Sequence, residues 1–226
     1  GTSAIAMMSH ALARLDDNQM PAEIKGVARA MFETVAPEMS GLNRIAMSNL
    51  WLFGPLVKRQ LEASPSTNAM VRTTTALTIV NAGNKENVLP GRADAVVNFR
   101  LLPGDSLASV QQHAKETVAN ERFEYAVIPG ATEPSAITPT ESSSFKLIER
   151  SVRELFPGTV VVPGLMVGGT DSKHFENVSD HIYKFSPVRA KPEDLARFHG
   201  TNERVSTANL AELIRFYHRL VEQGAK

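Results

Sequence analysis

Around Ser64 the apolar residues of this chain change their period, and that change decides what it can fold into. Before it, Ile5, Met8, Leu12 and Leu15 recur at helical spacing, with Ser3 placed to cap the first turn. Pro21 ends that helix. Residues 23–33 and 42–61 read as further helices, separated by Pro37 and Gly41 and interrupted at Gly54-Pro55. After the SPST loop at 64–67 the period is two. Residues 71–80 are rich in Thr, Val and Ile, and residues 94–102 (DAVVNFRLL) alternate. The connection NKENVLPG at 84–91 makes them an antiparallel pair. PGDS at 103–106 starts a helix carrying Leu107, Val110, Ala114 and Val118, and residues 123–128 form the next strand, ended by Pro129-Gly130. One more strand ahead of this order would complete a β-α-β-β-α-β sandwich with helices on one face of the sheet.

The second half is organised differently. Residues 131–141 (ATEPSAITPTE) are rich in Pro and Thr and read as a linker. Phe145, Ile148, Val152 and Leu155 then mark a helix with serines at its start and Pro157-Gly158 at its end. Residues 160–167 and 181–185 (HIYKF) read as short strands. The last helix has Ser206 at its N-cap and Leu210, Leu213, Ile214, Tyr217, Leu220 and Val221 along one face. Helix and strand alternate here as in an α/β layer. The expected domains are thus residues 1–130, a linker at 131–141, and residues 142–226. The last is short for a free-standing domain and is expected to be part of a larger sheet.

Composition excludes several functions. The chain has 226 residues, enough to bury a sizeable core, with 24 basic and 24 acidic side chains. No basic stripe recommends a nucleic acid. There is no cysteine, so a disulfide framework or thiolate metal site is impossible. No apolar run reaches the roughly 18 residues of a membrane-spanning helix, and no leader pattern is visible. The compartment stays open. The cluster Leu50, Trp51, Leu52, Phe53 reads most simply as core; the alternatives are a lip for a greasy acyl group or a subunit contact.

The polar residues concentrate in GGTDSKHFENVSDHIYKFSPVRAKPEDLARFHGTNERVS at 168–206. His199 sits at a loop tip, where backbone rather than a flexible helix end would fix a metal ligand. Asp171 reads as a turn cap, and His174 as a surface residue or one that supports a metal ligand from behind. Arg100, in a strand with Val96, Asn98 and Leu102 on its face, admits two readings. It is a sheet-edge arginine reaching solvent, or a planar fork for a carboxylate, which lysine would grip less specifically.

GGTDS, IYKFSP and FHGTNE in this order, preceded by ENVLPGRADAVVNFRLLPGDS at 86–106, resemble the two-zinc family of aminoacylases and carboxypeptidases. The similarity is greatest to its carboxypeptidase S-like branch, which includes N-acyl-amino-acid hydrolases. The resemblance implies a ferredoxin-like lid of antiparallel strands, here with extra helices, followed by the C-terminal part of an α/β zinc-peptidase catalytic domain. It implies that Asn87 and Arg100 hold the substrate's carboxylate from the lid, and that Gly168, Gly169 and Thr170 lie against it from the other domain. It makes His199 a ligand to one of two zinc ions, and it implies a homodimer formed through the lid. The substrate would be a small peptide or N-acyl amino acid with a free carboxylate.

The sequence departs from that pattern in one respect. The family's H-x-D pair, bridging aspartate, paired glutamates and GGHSS histidine are not in these residues. This chain by itself is therefore expected to be a C-terminal fragment with no catalytic residue of its own, binding zinc poorly or not at all. A reading from another class is a non-catalytic dimerisation or binding module with a degenerate peptidase fold.

Overall fold

The computed structural model describes residues 3–225, apart from the side chains of Pro192 and Leu195. The chain forms two compact units, Gly1–Ala136 and Ile137–Lys226.

Helix α1 (Ala4–Asp17) starts where the Ser3 hydroxyl accepts the Ala6 N–H at 3.2 Å. Strands β1 (Thr74–Ala82) and β2 (Ala93–Arg100) pair antiparallel, from Thr74 opposite Arg100 to Ala82 opposite Ala93, with a bulge between Leu77 and Ile79. Helix α6 (Leu107–Val118) opens on a reciprocal capping box between Ser106 and Ser109. Both α1 and α6 cover one face of the sheet. Ala11, Leu15, Ala114 and Val118 are buried together, with Val97 from β2 and Phe123 and Tyr125 packed against them. Arg14 also donates from Nη1 to the Val118 carbonyl at 2.8 Å, satisfying the end of α6. Leu15→Ala here would cost about 2–5 kcal/mol.

Between α1 and β1 lies a helical insertion: α2 (Gly26–Val35), a 3-10 turn (Ala36–Glu38), α3 (Gly41–Ser48), α4 (Leu50–Glu62) and α5 (Pro65–Asn68). Its core is Ala22, Ala28, Phe32, Val57, Leu61 and Val71. Two expectations fail here. Residues 23–25 are not helical, because the Glu23 N–H donates to the Val71 carbonyl at 2.8 Å and Gly26 (φ +54°) then turns the chain into α2. The break expected at Gly54-Pro55 falls instead at Asn49. Its side chain donates to the Ile45 carbonyl at 2.9 Å, closing α3, while its own carbonyl accepts Leu52 and Phe53 and starts α4. Pro55 then lies inside α4. Leu50 and Phe53 pack on the core, but Trp51 and Leu52 face water, so that cluster is only half core.

Residues 123–128 are not a strand. Among the described residues the sheet has two strands, β1 and β2, and this segment forms no ladder with either. Phe123 and Tyr125 bury their rings against α1 and α6 without a ladder.

In the second unit, α7 (Ser143–Leu155), capped by Ser142, packs against α9 (Thr207–Gly224), capped by Ser206. A 3-10 turn (Asp171–Phe175) and a short helix α8 (Pro192–Leu195) lie between them in sequence. The strands expected at 160–167 and 181–185 are extended segments without ladder partners. Residues 182–185 are held by side chains instead. The Tyr183 hydroxyl donates to the Pro139 carbonyl at 2.6 Å and bonds Ser142, its ring meets Phe145, and Phe185 packs edge-on to the buried Phe216 at 5.4 Å. On α9 the predicted apolar face is mostly uncovered: Leu210, Ile214, Tyr217 and Val221 are exposed and Leu213 and Leu220 half-buried, while the buried side chain is Phe216, outside that set.

Candidate functional site

In the first unit Arg100 ends β2, on the sheet face away from α1 and α6, and its side chain is exposed. The helices take Val97 and its same-face neighbours, so alternation leaves Asp94, Val96, Asn98 and Arg100 on the open face. Asn87 lies in the loop joining the opposite ends of the two strands, and it too is exposed. At about 3.3 Å per residue, the seven steps from Ala93 to Arg100 carry the arginine about 23 Å from the loop's base. The hairpin thus holds the two candidate carboxylate ligands at its two ends and does not form a single clamp from them.

In the second unit Gly168 and Gly169 are exposed, with open space where a Cβ would stand. Thr170 is the N-cap of the 3-10 turn: its hydroxyl accepts the Ser172 N–H at 3.3 Å and meets the Ser172 hydroxyl at 2.6 Å. Thr170, not Asp171, is therefore the cap. A threonine ahead of an aspartate leaves that choice open in the sequence.

His199 is exposed and has a left-handed backbone (φ 58°), as does Asn202 (φ 62°). Left-handed geometry costs a non-glycine residue about 1–2 kcal/mol. Histidine and asparagine are among the non-glycine residues that adopt it most readily. The loop is tight: the Gly200 N–H donates to the Arg197 carbonyl at 2.8 Å, and a Cβ on Gly200 would approach the Ala196 carbonyl oxygen to 3.3 Å. Just upstream, the Lys191 backbone N–H and the Arg197 guanidinium hold the Asp194 carboxyl below its usual range. The His199 ring lies edge-on to Phe198 at 4.9 Å. No hydrogen bond or ion pair among the described residues joins His199 to the turn at Gly168–Thr170.

What leads into that loop is anchored by a residue that sequence reasoning passed over. Asn209, in the first turn of α9, is buried. Its Oδ1 accepts the Arg189 backbone N–H at 2.9 Å, and its Nδ2 donates to the Pro187 carbonyl at 3.0 Å and to Glu212 at 3.0 Å. Arg189 also grips Glu212 at 2.7 and 2.9 Å, which holds the Glu212 carboxyl below its usual range. The one visible signal was a polar residue three positions after the Ser206 cap, on the inner face of an otherwise apolar helix start.

A catalytic zinc needs about three protein ligands. Among the described residues no three His, Asp or Glu side chains converge on one point. This chain's residues do not by themselves fit such an ion; His199 supplies one ligand at most.

The first unit thus carries helices on one face of an antiparallel hairpin, and the second is a smaller unit of helices and segments without ladder partners. The family model described as the M20 peptidase dimerisation domain matches residues 1–126, and the chain belongs to the M20 peptidase family. An N-fatty-acyl-amino acid synthase/hydrolase of Xenopus tropicalis is 42% identical over 224 residues, covering 98% of this chain and 44% of that protein. A probable carboxypeptidase S-like protein of Dictyostelium discoideum is 38% identical over 224 residues, covering 99% of this chain and 43% of its own length. The chain thus spans less than half of these curated relatives. Among solved structures, an M20 family metallo-carboxypeptidase from Sulfolobus solfataricus shares the fold, with a TM-score of 0.60 at 16% identity over 98% of this chain and 52% of its own.

Proposed function

We propose that residues 1–130 act as a lid and residues 142–226 as the C-terminal edge of the catalytic domain in a hydrolase. It cleaves the amide bond of a peptide's C-terminal residue or of an N-acyl amino acid. The observation that carries this reading is the near-complete match of the chain to relatives named as N-fatty-acyl-amino acid hydrolases and carboxypeptidase S-like proteins. Both names imply a substrate that presents an amide next to a free carboxylate.

In this reading Arg100 is the primary carboxylate ligand, since its guanidinium is always charged and offers two parallel donors. Asn87 adds a directional amide without a competing charge. Their places at the two ends of the hairpin favour service to different sites: in a two-fold dimer of lids, one chain's loop reaches the site that the other chain's strand end serves. Gly168 and Gly169 leave the backbone open to a close approach by the carboxylate, and Thr170 fixes the turn that follows. His199 is assigned to metal binding, together with ligands outside these residues. When bound, the ions would polarise the scissile carbonyl and activate water. Zinc as that metal, and the homodimer, belong to the same proposal.

Arg100→Ala, made in the full-length polypeptide that carries these residues, tests the assignment. Turnover of a free-carboxylate substrate is compared with that of its amidated analogue. The expected result is KM raised roughly ten- to hundredfold for the free acid only, as the loss of charge-assisted hydrogen bonds requires. An unchanged preference for the free acid refutes the role. No turnover of either substrate by the unmutated full-length protein would favour the non-catalytic binding module.

A further inference from the structure

From Met39 to Leu61 the chain contains no acidic residue and three basic ones, Arg44, Lys58 and Arg59. This stretch is the α3–α4 hairpin. One side of it, with Ala46, Met47, Leu50, Phe53, Val57 and Leu61, packs into the helical insertion's core. The other side carries Leu42 (82% exposed), Ile45 (51%), Trp51 (82%), Leu52 (56%) and Leu56 (65%). Leu52, Leu56 and Arg59 follow at helical spacing, so a cation continues the apolar face one turn on. No carboxylate stands within ion-pair distance of Arg44 or Arg59 among the described residues.

Five large apolar side chains on one short hairpin mark a binding face. The charges around it say what covers the face. A second copy meeting it across a two-fold axis would bring like charges together. A lipid surface with anionic headgroups would complement them, and an exposed indole is a residue type that settles at the boundary between headgroup and acyl chain. The exposed stripe on α9 has no such complement, because Arg215, Arg219 and Glu222 mix both signs around it.

We propose that the α3–α4 hairpin is a membrane-surface element. It lies in the interface of an anionic bilayer, with Leu42, Ile45, Trp51, Leu52 and Leu56 in the boundary layer and Arg44 and Arg59 against lipid phosphates. This is peripheral contact: among the described residues no helix is long and apolar enough to cross a membrane. It does not depend on the hydrolase reading.

The chain's single tryptophan is Trp51, so its fluorescence reports this face alone. The 226-residue chain is mixed with vesicles of phosphatidylcholine, or of phosphatidylcholine and phosphatidylserine, and followed by emission and co-sedimentation. The expected result is a blue shift and sedimentation with anionic vesicles, weakened by salt and by omitting phosphatidylserine. R44E/R59E, which leaves the apolar face and core intact, should bind anionic vesicles roughly fivefold less tightly for each basic residue removed. L52E/L56E should abolish both signals. Three results overturn the proposal: emission already blue and unmoved by vesicles; a blue shift that tracks protein concentration and a dimer mass in light scattering without lipid; or unchanged anionic binding by R44E/R59E.

Discussion

Asn209 holds the backbone of Arg189 from across twenty residues of chain: its Oδ1 accepts the Arg189 N–H at 2.9 Å while its Nδ2 donates to the Pro187 carbonyl at 3.0 Å. A buried amide facing extended backbone replaces the ladder that a neighbouring strand would otherwise supply, and it fixes the path leading into the His199 loop. Asn209→Ala leaves the Arg189 N–H and the Pro187 C=O, both in part-buried bonds, without this partner, at a cost of about 1–3 kcal/mol. Urea denaturation should show a lower midpoint with an unchanged slope. A loss of less than ~0.5 kcal/mol would mean that solvent already reaches this amide.

Acid should loosen the contact between α7 and α9. The Glu154 carboxylate accepts from Arg219 Nε at 2.8 Å and from Gln223 at 3.0 Å, and the Arg219 guanidinium is the main reason its carboxyl sits below the ordinary value of 4.5. A carboxylate with a lowered folded value contributes stability above its unfolded value and loses it as pH falls through the folded one. Stability should therefore decline below about pH 4.5, and Glu212, lowered by Arg189, acts in the same direction. Thermal melts of Glu154→Gln should start lower at neutral pH and show a flatter acid limb. The pair is exposed, so high salt should narrow the difference between variant and parent. A parallel acid limb in the two proteins would remove Glu154 from the account.

Periodicity located the helices, and serine caps located their starts: Ser3, Ser106, Ser142 and Ser206 each accept a backbone N–H as expected. What periodicity missed was pairing. Residues 123–128, 160–167 and 181–185 have the composition of strands, but a strand exists only beside another backbone, and a local pattern carries no information about that neighbour. Trp51 was misplaced for a related reason: an apolar residue beside three others reads as core, and only the helix phase set by the break at Asn49 turns it to water. The candidate site was legible through its motifs, since their order carries what single residues do not. The placing of Asn87 in the connection and Arg100 towards the far end of the second strand was legible too, and the register that pairs Thr74 with Arg100 fixes it.

That register makes a prediction about subunits. If Asn87 and Arg100 serve one substrate from two chains, mixing the Asn87→Ala and Arg100→Ala versions of the full-length polypeptide, each impaired at substrate well below its raised KM, should restore activity there. A mixed dimer then carries one site lacking both groups and one intact. Random exchange makes about half of all dimers mixed, so about a quarter of the parent's activity should return. Steady-state turnover after subunit exchange measures it. No recovery, with exchange verified by mass, would assign both residues to the same chain's site.

Metal uptake separates what this chain supplies from what lies outside it. His199 is exposed on a left-handed backbone, and among the described residues it belongs to no group of three acidic or imidazole side chains that could hold an ion. A lone imidazole binds zinc far too weakly for stoichiometric uptake at micromolar protein. Elemental analysis after dialysis of the 226-residue chain should find well under one zinc per chain. In the full-length polypeptide His199→Ala should lower the zinc content, while His174→Ala, an exposed histidine of the 3-10 turn, should leave it unchanged. Stoichiometric zinc in the 226-residue chain would mean that its own side chains can converge on an ion. Equal zinc in His199→Ala and the parent would take the imidazole out of the metal's coordination shell.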